Sequence, residues 1–242
     1  MYLATVHLAT VSGVWQRIQV FGVFREKPAG PACALVYDNC VNLLAHAFLA
    51  RGDADRIVGQ LCGDFVRGSD LSAYPEAIQA GIRCHRAIDT YTDHHELNLQ
   101  ARNLFSAPYR RFAGIVVDVI YDYFLANEWD NYCDIPLHNY TDMVARALSQ
   151  HRSVLPTGLR NFSELHASEG TLHRNLDRDH IELTLQRIAS RRQSLGPLST
   201  VATTLWDKEH ALKHIFDCFF PQLISYTLSY QNQQPATPVA TR

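Results

Sequence analysis

The stretch Phe112 to Leu125, FAGIVVDVIYDYFL, is apolar nearly all round, and its only charges are Asp118 and Asp122. A helix with no polar face belongs at the centre of a domain, so the rest of the chain has to be built around this one. Asp118 and Asp122 are four residues apart and share a face. Like charges at that spacing repel, and the cost grows in a low-dielectric interior. Each acid therefore needs a proton, an arginine or a metal ion. Salt bridges to Arg110, Arg111 or Arg83 are one answer, although buried ion pairs seldom add net stability.

The chain has 242 residues, enough for one good-sized domain or two small ones. Its formal net charge of −2 gives no whole-chain basic field, so a nucleic-acid partner is not expected. None of the six cysteines stands in a C-x-x-C pair, which argues against a finger or ribbon zinc site and for a reduced chain. No run reaches the roughly 20 apolar residues of a membrane span. The N-terminus lacks a basic segment leading into a clean apolar one. The expected location is cytoplasmic.

Residues 1–40 differ in character from the rest of the chain. They mix β-prone pieces between Val11 and Phe24 with the breaker stretch Lys27 to Pro31. They read as a small appended hairpin or as a non-native, dispensable extension. From Val41 helices dominate. The first carries His46 and is broken by Arg51-Gly52-Asp53. Further helices are expected over Asp55 to Leu61, Pro75 to about Thr92, Leu97 to Phe105, Ser106 to Trp129, Leu137 to Leu155 and Phe162 to His173. Asp179 and Glu182 have capping-box spacing and open another helix through Arg192. A last one covers Ser199 to Tyr230. The Gln/Pro/Thr-rich tail 231–242 is expected to be disordered. The fold class is all-α, a single helical domain over 41–230.

On a wheel of 100° per residue, Ile78, Gly81, Ile82, Cys84, Ile88 and Tyr91 form one arc. His85 and Asp89 fall inside it, on adjacent turns. An inward His and Asp are costly unless satisfied. They bond each other or share a metal. His46, amid Leu43, Leu44 and Phe48, reads as a core histidine or a ligand. Asp64, in the turn GDFVRG (63–68), reads as a cap or a ligand. Together these residues could meet in one helical core. Imidazole with carboxylate suits Mn²⁺, Fe²⁺ or Zn²⁺. Such an ion acidifies water and polarises a phosphoryl oxygen.

The chain resembles the acyl carrier protein phosphodiesterases over about Val41 to Tyr230. The matching pieces are VNLLAHAFLA (41–50), GQLCGDFVRG (59–68), AGIRCHRAIDTYTD (80–93), RRFAGIVVDVIYDYFLANEW (110–129), IASRRQSLGPL (188–198) and FDCFFP (216–221). The resemblance implies a fold related to the HD-type metal phosphohydrolases. It also implies hydrolysis of holo-acyl carrier protein to the apo-protein and 4′-phosphopantetheine, with a divalent metal, usually Mn²⁺. By motif, Asp64, His85, Asp89 and Asp118 are the implied metal residues. His46 and Asp122 stand close behind, to orient water or move a proton. Arg67, Arg83 and Arg86 could neutralise phosphate oxygens, and Arg110, Arg111, Arg191 and Arg192 could form a basic rim for the acidic carrier. Two features depart from the family. Val41 stands where its members begin with Met, as an internally read GUG start would. Phe48 stands where a second histidine is common. Competing readings are a phosphohydrolase of nucleotides or other small phosphate esters, and a non-catalytic helical module that binds acyl carrier protein.

Overall fold

The computed structural model describes residues 5–9, 15–19 and 42–234. The chain divides into two units, residues 1–31 and 32–242. In the first, strands β1 (Thr5–Ala9) and β2 (Trp15–Gln19) pair antiparallel, with Thr5 opposite Gln19 and Ala9 opposite Trp15. A hairpin is thus present; its second strand falls within the β-prone stretch Val11 to Phe24 and its first lies before it. The breaker stretch Lys27 to Pro31 lies outside the described residues.

The second unit is all-α among its described residues. Its helices are α1 (Leu43–Leu49), α2 (Ala54–Cys62), α3 (Glu76–His94), α4 (Glu96–Asn103), α5 (Ala113–Asn127), α6 (Leu137–Gln150), α7 (Thr157–Glu169), α8 (Arg178–Ala189), α9 (Ala202–Asp207) and α10 (Glu209–Gln233). Short 3₁₀ turns link several of them. None of these helices is long and apolar enough to cross a membrane.

Helix α5 takes the central place that its composition demands. Ten of its residues are buried, and α1, α4, α8 and α10 all pack on it. Helices α2 and α3 make the closest pair, because Gly59 faces Gly81. A Cβ on either glycine would lie 2.7 Å from the other's Cα. The α3 wheel is observed largely as expected: Ile78, Gly81, Ile82, Cys84, His85 and Ile88 are buried. Tyr91 is half-buried and stacks on Tyr226 at 4.1 Å.

Several boundaries differ from the sequence reading, each for a local reason. Helix α6 stops at Gln150 rather than Leu155, where the His151 ring turns back onto the Ala147 carbonyl at 2.8 Å and onto Asp55. Helix α7 starts directly after Pro156 and ends at Gly170, whose φ of 62° closes it in the left-handed region. The capping box does not form. Asp177, not Asp179, is the N-cap residue of α8, and the Glu182 carboxylate instead accepts from the Trp206 indole at 2.6 Å. The expected last helix is two, α9 and α10, preceded by a 3₁₀ stretch over Gln193–Thr200. Helix α10 runs on through Gln233, into the segment expected to be disordered. Residues 235–242 lie outside the described residues.

Candidate metal centre

Three elements bring His46, His85, Asp89 and Asp64 together. His46 comes from α1, His85 and Asp89 from successive turns of α3, and Asp64 from the turn that ends α2. The two imidazoles stack with centroids 4.0 Å apart. His46 Nε2 lies 3.3 Å from Asp89 Oδ1, and His85 Nε2 lies 3.0 Å from Asp89 Oδ2 and 3.5 Å from Asp64 Oδ1. One ligand atom from each of His46, His85 and Asp89 falls within 4.8 Å of the others. Both histidines are buried, whereas the Asp89 side chain is 44% exposed. Asp89 therefore opens the set to solvent rather than lying within the core, as the wheel alone suggested.

Two local devices fix the imidazoles. His46 Nδ1 stands 3.0 Å from the side-chain carbonyl oxygen of Gln60 on α2. That oxygen only accepts, so Nδ1 donates to it and Nε2 is the ring atom turned to Asp89. A proton or a metal ion between Nε2 and the Asp89 oxygen 3.3 Å away satisfies both. At Gly63, a Cβ would fall inside the His85 ring, so glycine is what lets that ring reach Asp64 and Asp89.

Charge at the site points the same way. Burial by itself would lower His85, but the hydrogen bonds and charges of Asp64 and Asp89 overcome it and raise the ring to about 9. Burial works against ionisation of Asp89 too, yet the two imidazoles hold its carboxyl well below the usual carboxylate range. Burial raises the Asp118 carboxyl to about 8, with Asp89, Asp64 and Asp93 adding to the rise and Arg102 opposing it. The set thus attracts positive charge. Two imidazoles and a carboxylate with one open side fit a divalent cation.

Asp118, on α5, feels the charges of Asp89 and Asp64 but is not one of the three residues whose ligand atoms converge, and Asp122, one turn on, is engaged elsewhere. The Asp122 oxygens accept from the backbone N–H groups of Leu44 at 2.8 Å and Ala45 at 2.9 Å. Asn42, the N-cap residue of α1, makes no side-chain cap, so Asp122 reaches across from α5 to serve those N–H groups. Asp122 thereby holds the helix that carries His46. The arginines offered as partners for Asp118 and Asp122 are engaged elsewhere. Arg110 donates to the Arg102 carbonyl, Arg111 to the Ser194 carbonyl and Arg83 to Gln79.

The remaining expected residues are dispersed. Arg67 and Arg83 are exposed, and Arg86 donates to the Val66 carbonyl at 2.9 Å, tying down the turn that bears Asp64. Phe48 packs between Trp129 and Phe220. Gln60, Gly63 and Arg102 were not singled out from the sequence. A glutamine and a glycine near a candidate ligand carry no signal until the partner helix is known.

The family described as "Acyl carrier protein phosphodiesterase" matches residues 41–223. The chain belongs to the acyl carrier protein phosphodiesterase family. Among its relatives is the acyl carrier protein phosphodiesterase of Yersinia pestis, 36% identical over 187 residues, which span 76% of this chain and 96% of the relative. That of Photorhabdus laumondii subsp. laumondii is 38% identical over 162 residues, 66% of this chain and 81% of the relative. That of Escherichia coli O6:H1 is 35% identical over 188 residues, 76% of this chain and 96% of the relative. No solved structure matches the chain. All four residues that meet at the centre of this family member lie inside the matched region.

Proposed function

We propose that this chain hydrolyses holo-acyl carrier protein to apo-acyl carrier protein and 4′-phosphopantetheine. The observation that carries the reading is the convergence of two imidazole Nε2 atoms on the Asp89 carboxylate, in a chain of this family. His46, His85 and Asp89 would hold a divalent cation, proposed to be Mn²⁺, with Asp64 and Asp118 supplying further carboxylate oxygens to the same charge centre. Bound there, the cation would acidify water and polarise a phosphoryl oxygen.

The chain's own residues have distinct parts in this scheme. Gln60 keeps His46 Nε2 turned to Asp89. Gly63 makes room for the His85 ring. Asp122 acts through α1, holding His46 in place. In the reaction, water adds at phosphorus, the bond from phosphorus to the carrier serine oxygen breaks, and that oxygen takes a proton. Arginines on the outer surface, Arg67 and Arg83 among them, would meet the acidic carrier, where surface charge steers encounter more than it adds affinity. The reaction is assigned to the cytoplasm. The centre lies wholly in the second unit, so residues 1–40 are taken as dispensable, and a chain beginning at residue 41 is expected to keep the full rate.

A gel-shift assay of holo- to apo-carrier conversion, with and without Mn²⁺, tests the reading. Conversion that depends on the ion is the expected result. No conversion of the carrier, together with hydrolysis of a nucleotide from a panel, would move the substrate to small phosphate esters.

A further inference from the structure

His46, His85 and Asp89 stand on helices, but Asp64 stands on the turn after α2, so other groups have to hold it. The turn is short: the Phe65 and Val66 N–H groups both donate to the Cys62 carbonyl, at 2.9 and 3.0 Å. Two contacts from other helices clamp it. Arg86 on α3 donates through Nη2 to the Val66 carbonyl at 2.9 Å. From α7, Gly158 lies against the Phe65 ring, where a Cβ would stand 2.5 Å from Cε1 and 2.7 Å from Cδ1.

Gly158 is the second residue of α7, and a glycine within a helix costs up to about 1 kcal/mol relative to alanine. Its φ lies outside the left-handed region, so the backbone does not ask for glycine there. The Phe65 ring does. Phe65 follows Asp64 directly, and close-packed side chains transmit strain, so a ring displaced by a methyl group at 158 carries the acid with it. We propose that Gly158 and Arg86 are positioning residues for Asp64. Helices α7 and α3 together fix the turn, so that this carboxylate stays aimed at His85, 3.5 Å away, and at an ion held there. The inference rests on the metal-dependent reading above. It gives a part in the centre to α7, which contributes none of the four residues that meet there.

The test uses the full chain and four variants: Gly158→Ala, Gly158→Ala with Phe65→Leu, Arg86→Met and Arg86→Lys. Amide hydrogen exchange on the metal-free chain reads the turn at Phe65 and Val66. Calorimetry reads Mn²⁺ affinity, and kinetics read kcat and KM on holo-acyl carrier protein. In Gly158→Ala both amides should exchange faster, and Mn²⁺ affinity should weaken about tenfold or more, the scale for a group that orients a metal ligand. kcat should fall while KM for the carrier holds. Adding Phe65→Leu admits the methyl group, and most of the lost affinity should return. Arg86→Met should weaken Mn²⁺ binding likewise, and Arg86→Lys, which keeps a donor for the Val66 carbonyl, should recover part of it. Wild-type Mn²⁺ affinity in Gly158→Ala overturns the role of Gly158. So does a double variant as weak as Gly158→Ala alone, since the loss would then come from α7 itself. Wild-type Mn²⁺ affinity in Arg86→Met with a raised KM overturns the role of Arg86 and makes it a substrate contact. If Gly158→Ala does not fold, the double variant and the Arg86 arms decide. A wild-type chain that binds Mn²⁺ but leaves the carrier intact would sink the substrate assignment, and the affinities would still decide the positioning. A wild-type chain that binds no Mn²⁺ overturns the proposal together with the metal reading.

Discussion

Two buried histidine–aspartate neighbourhoods lie in this domain, and they behave in opposite ways. In the first, His46 and His85 meet Asp89 and Asp64, and His85 is raised to about 9. In the second, His180 on α8 lines a small, mostly apolar cavity with Asp122, Thr171 and Asn175, and it is lowered to about 4. The residue types are the same, but the wiring differs. Asp122 accepts from two backbone N–H groups and from Asn175, yet burial outweighs those bonds and raises its carboxyl to about 7. A carboxyl that burial disfavours as an anion gives the histidine little support, and burial, Arg174 and Arg187 keep His180 neutral. The Asp89 carboxylate is met by the two imidazoles instead, and its charge falls to them. A histidine near an acid therefore marks a cation site only where the acid is held ionised, as Asp89 is and Asp122 is not.

The sharpest way to break this comparison is to remove one acid from each neighbourhood. Asp89→Ala should cost roughly 10³-fold or more in phosphopantetheine release, because metal assistance supplies several kcal/mol of transition-state stabilisation. Its helical circular dichroism should be unchanged, and near-wild-type release would refute the centre. Asp122→Ala should do the reverse in its main effect. It strips two hydrogen bonds from the start of α1, and the unfolding free energy should drop by about 2 kcal/mol. Chemical denaturation measures this; an unchanged midpoint would mean that α1 does not depend on the cap. A smaller effect is expected for Gln60→Leu. Freeing His46 Nδ1 should weaken divalent-ion affinity by about 10–100-fold, the usual scale for a group that orients a metal-binding histidine. Unchanged affinity by calorimetry would show that Gln60 does not set the tautomer.

Much of this contrast could be anticipated from residue order, and the missing part is instructive. The apolar run around Asp118 announced a central helix, and the α3 wheel turned His85 inward, because periodicity is a local property. The same logic put Asp118 and Asp122 on one face and gave both the same need for a proton, an arginine or a metal. Their division depends on α1 arriving 78 residues earlier in the chain with uncapped N–H groups, which no wheel of α5 contains. Gly63 is silent for the same reason: its lack of a side chain matters only because His85 lies against it. Arg102 looked like any arginine on a polar helix until α4 was laid beside α5. The capping box at Asp179 failed because Glu182 found a stronger partner in Trp206 from a later helix. Local pattern determined which faces turn inward, and tertiary partners decided what each inward group does.

The acid side of the stability profile tests the second neighbourhood on its own terms. His180 is buried, its Nδ1 has no hydrogen-bond partner, and its ordinary value of 6.5 is lowered to about 4 in the fold. An unfolded chain takes up a proton there as pH falls through about 6.5, whereas the folded chain resists until about 4. Stability should therefore be whole above pH 6.5 and decline across that window as pH drops. By about pH 5 the loss through this one group is about 2 kcal/mol, at roughly 1.36 kcal/mol for each pH unit below the unfolded value. His180→Leu removes the titrating group, so the variant's denaturation midpoint should lose less than the wild type's between about pH 7 and about pH 5. The difference between the two profiles isolates His180 from carboxylates that titrate in both chains. Parallel profiles would mean that His180 protonates inside the fold as readily as outside it. The cavity would then have to accept the charge, most directly through Asp122, and the two neighbourhoods would be wired alike after all.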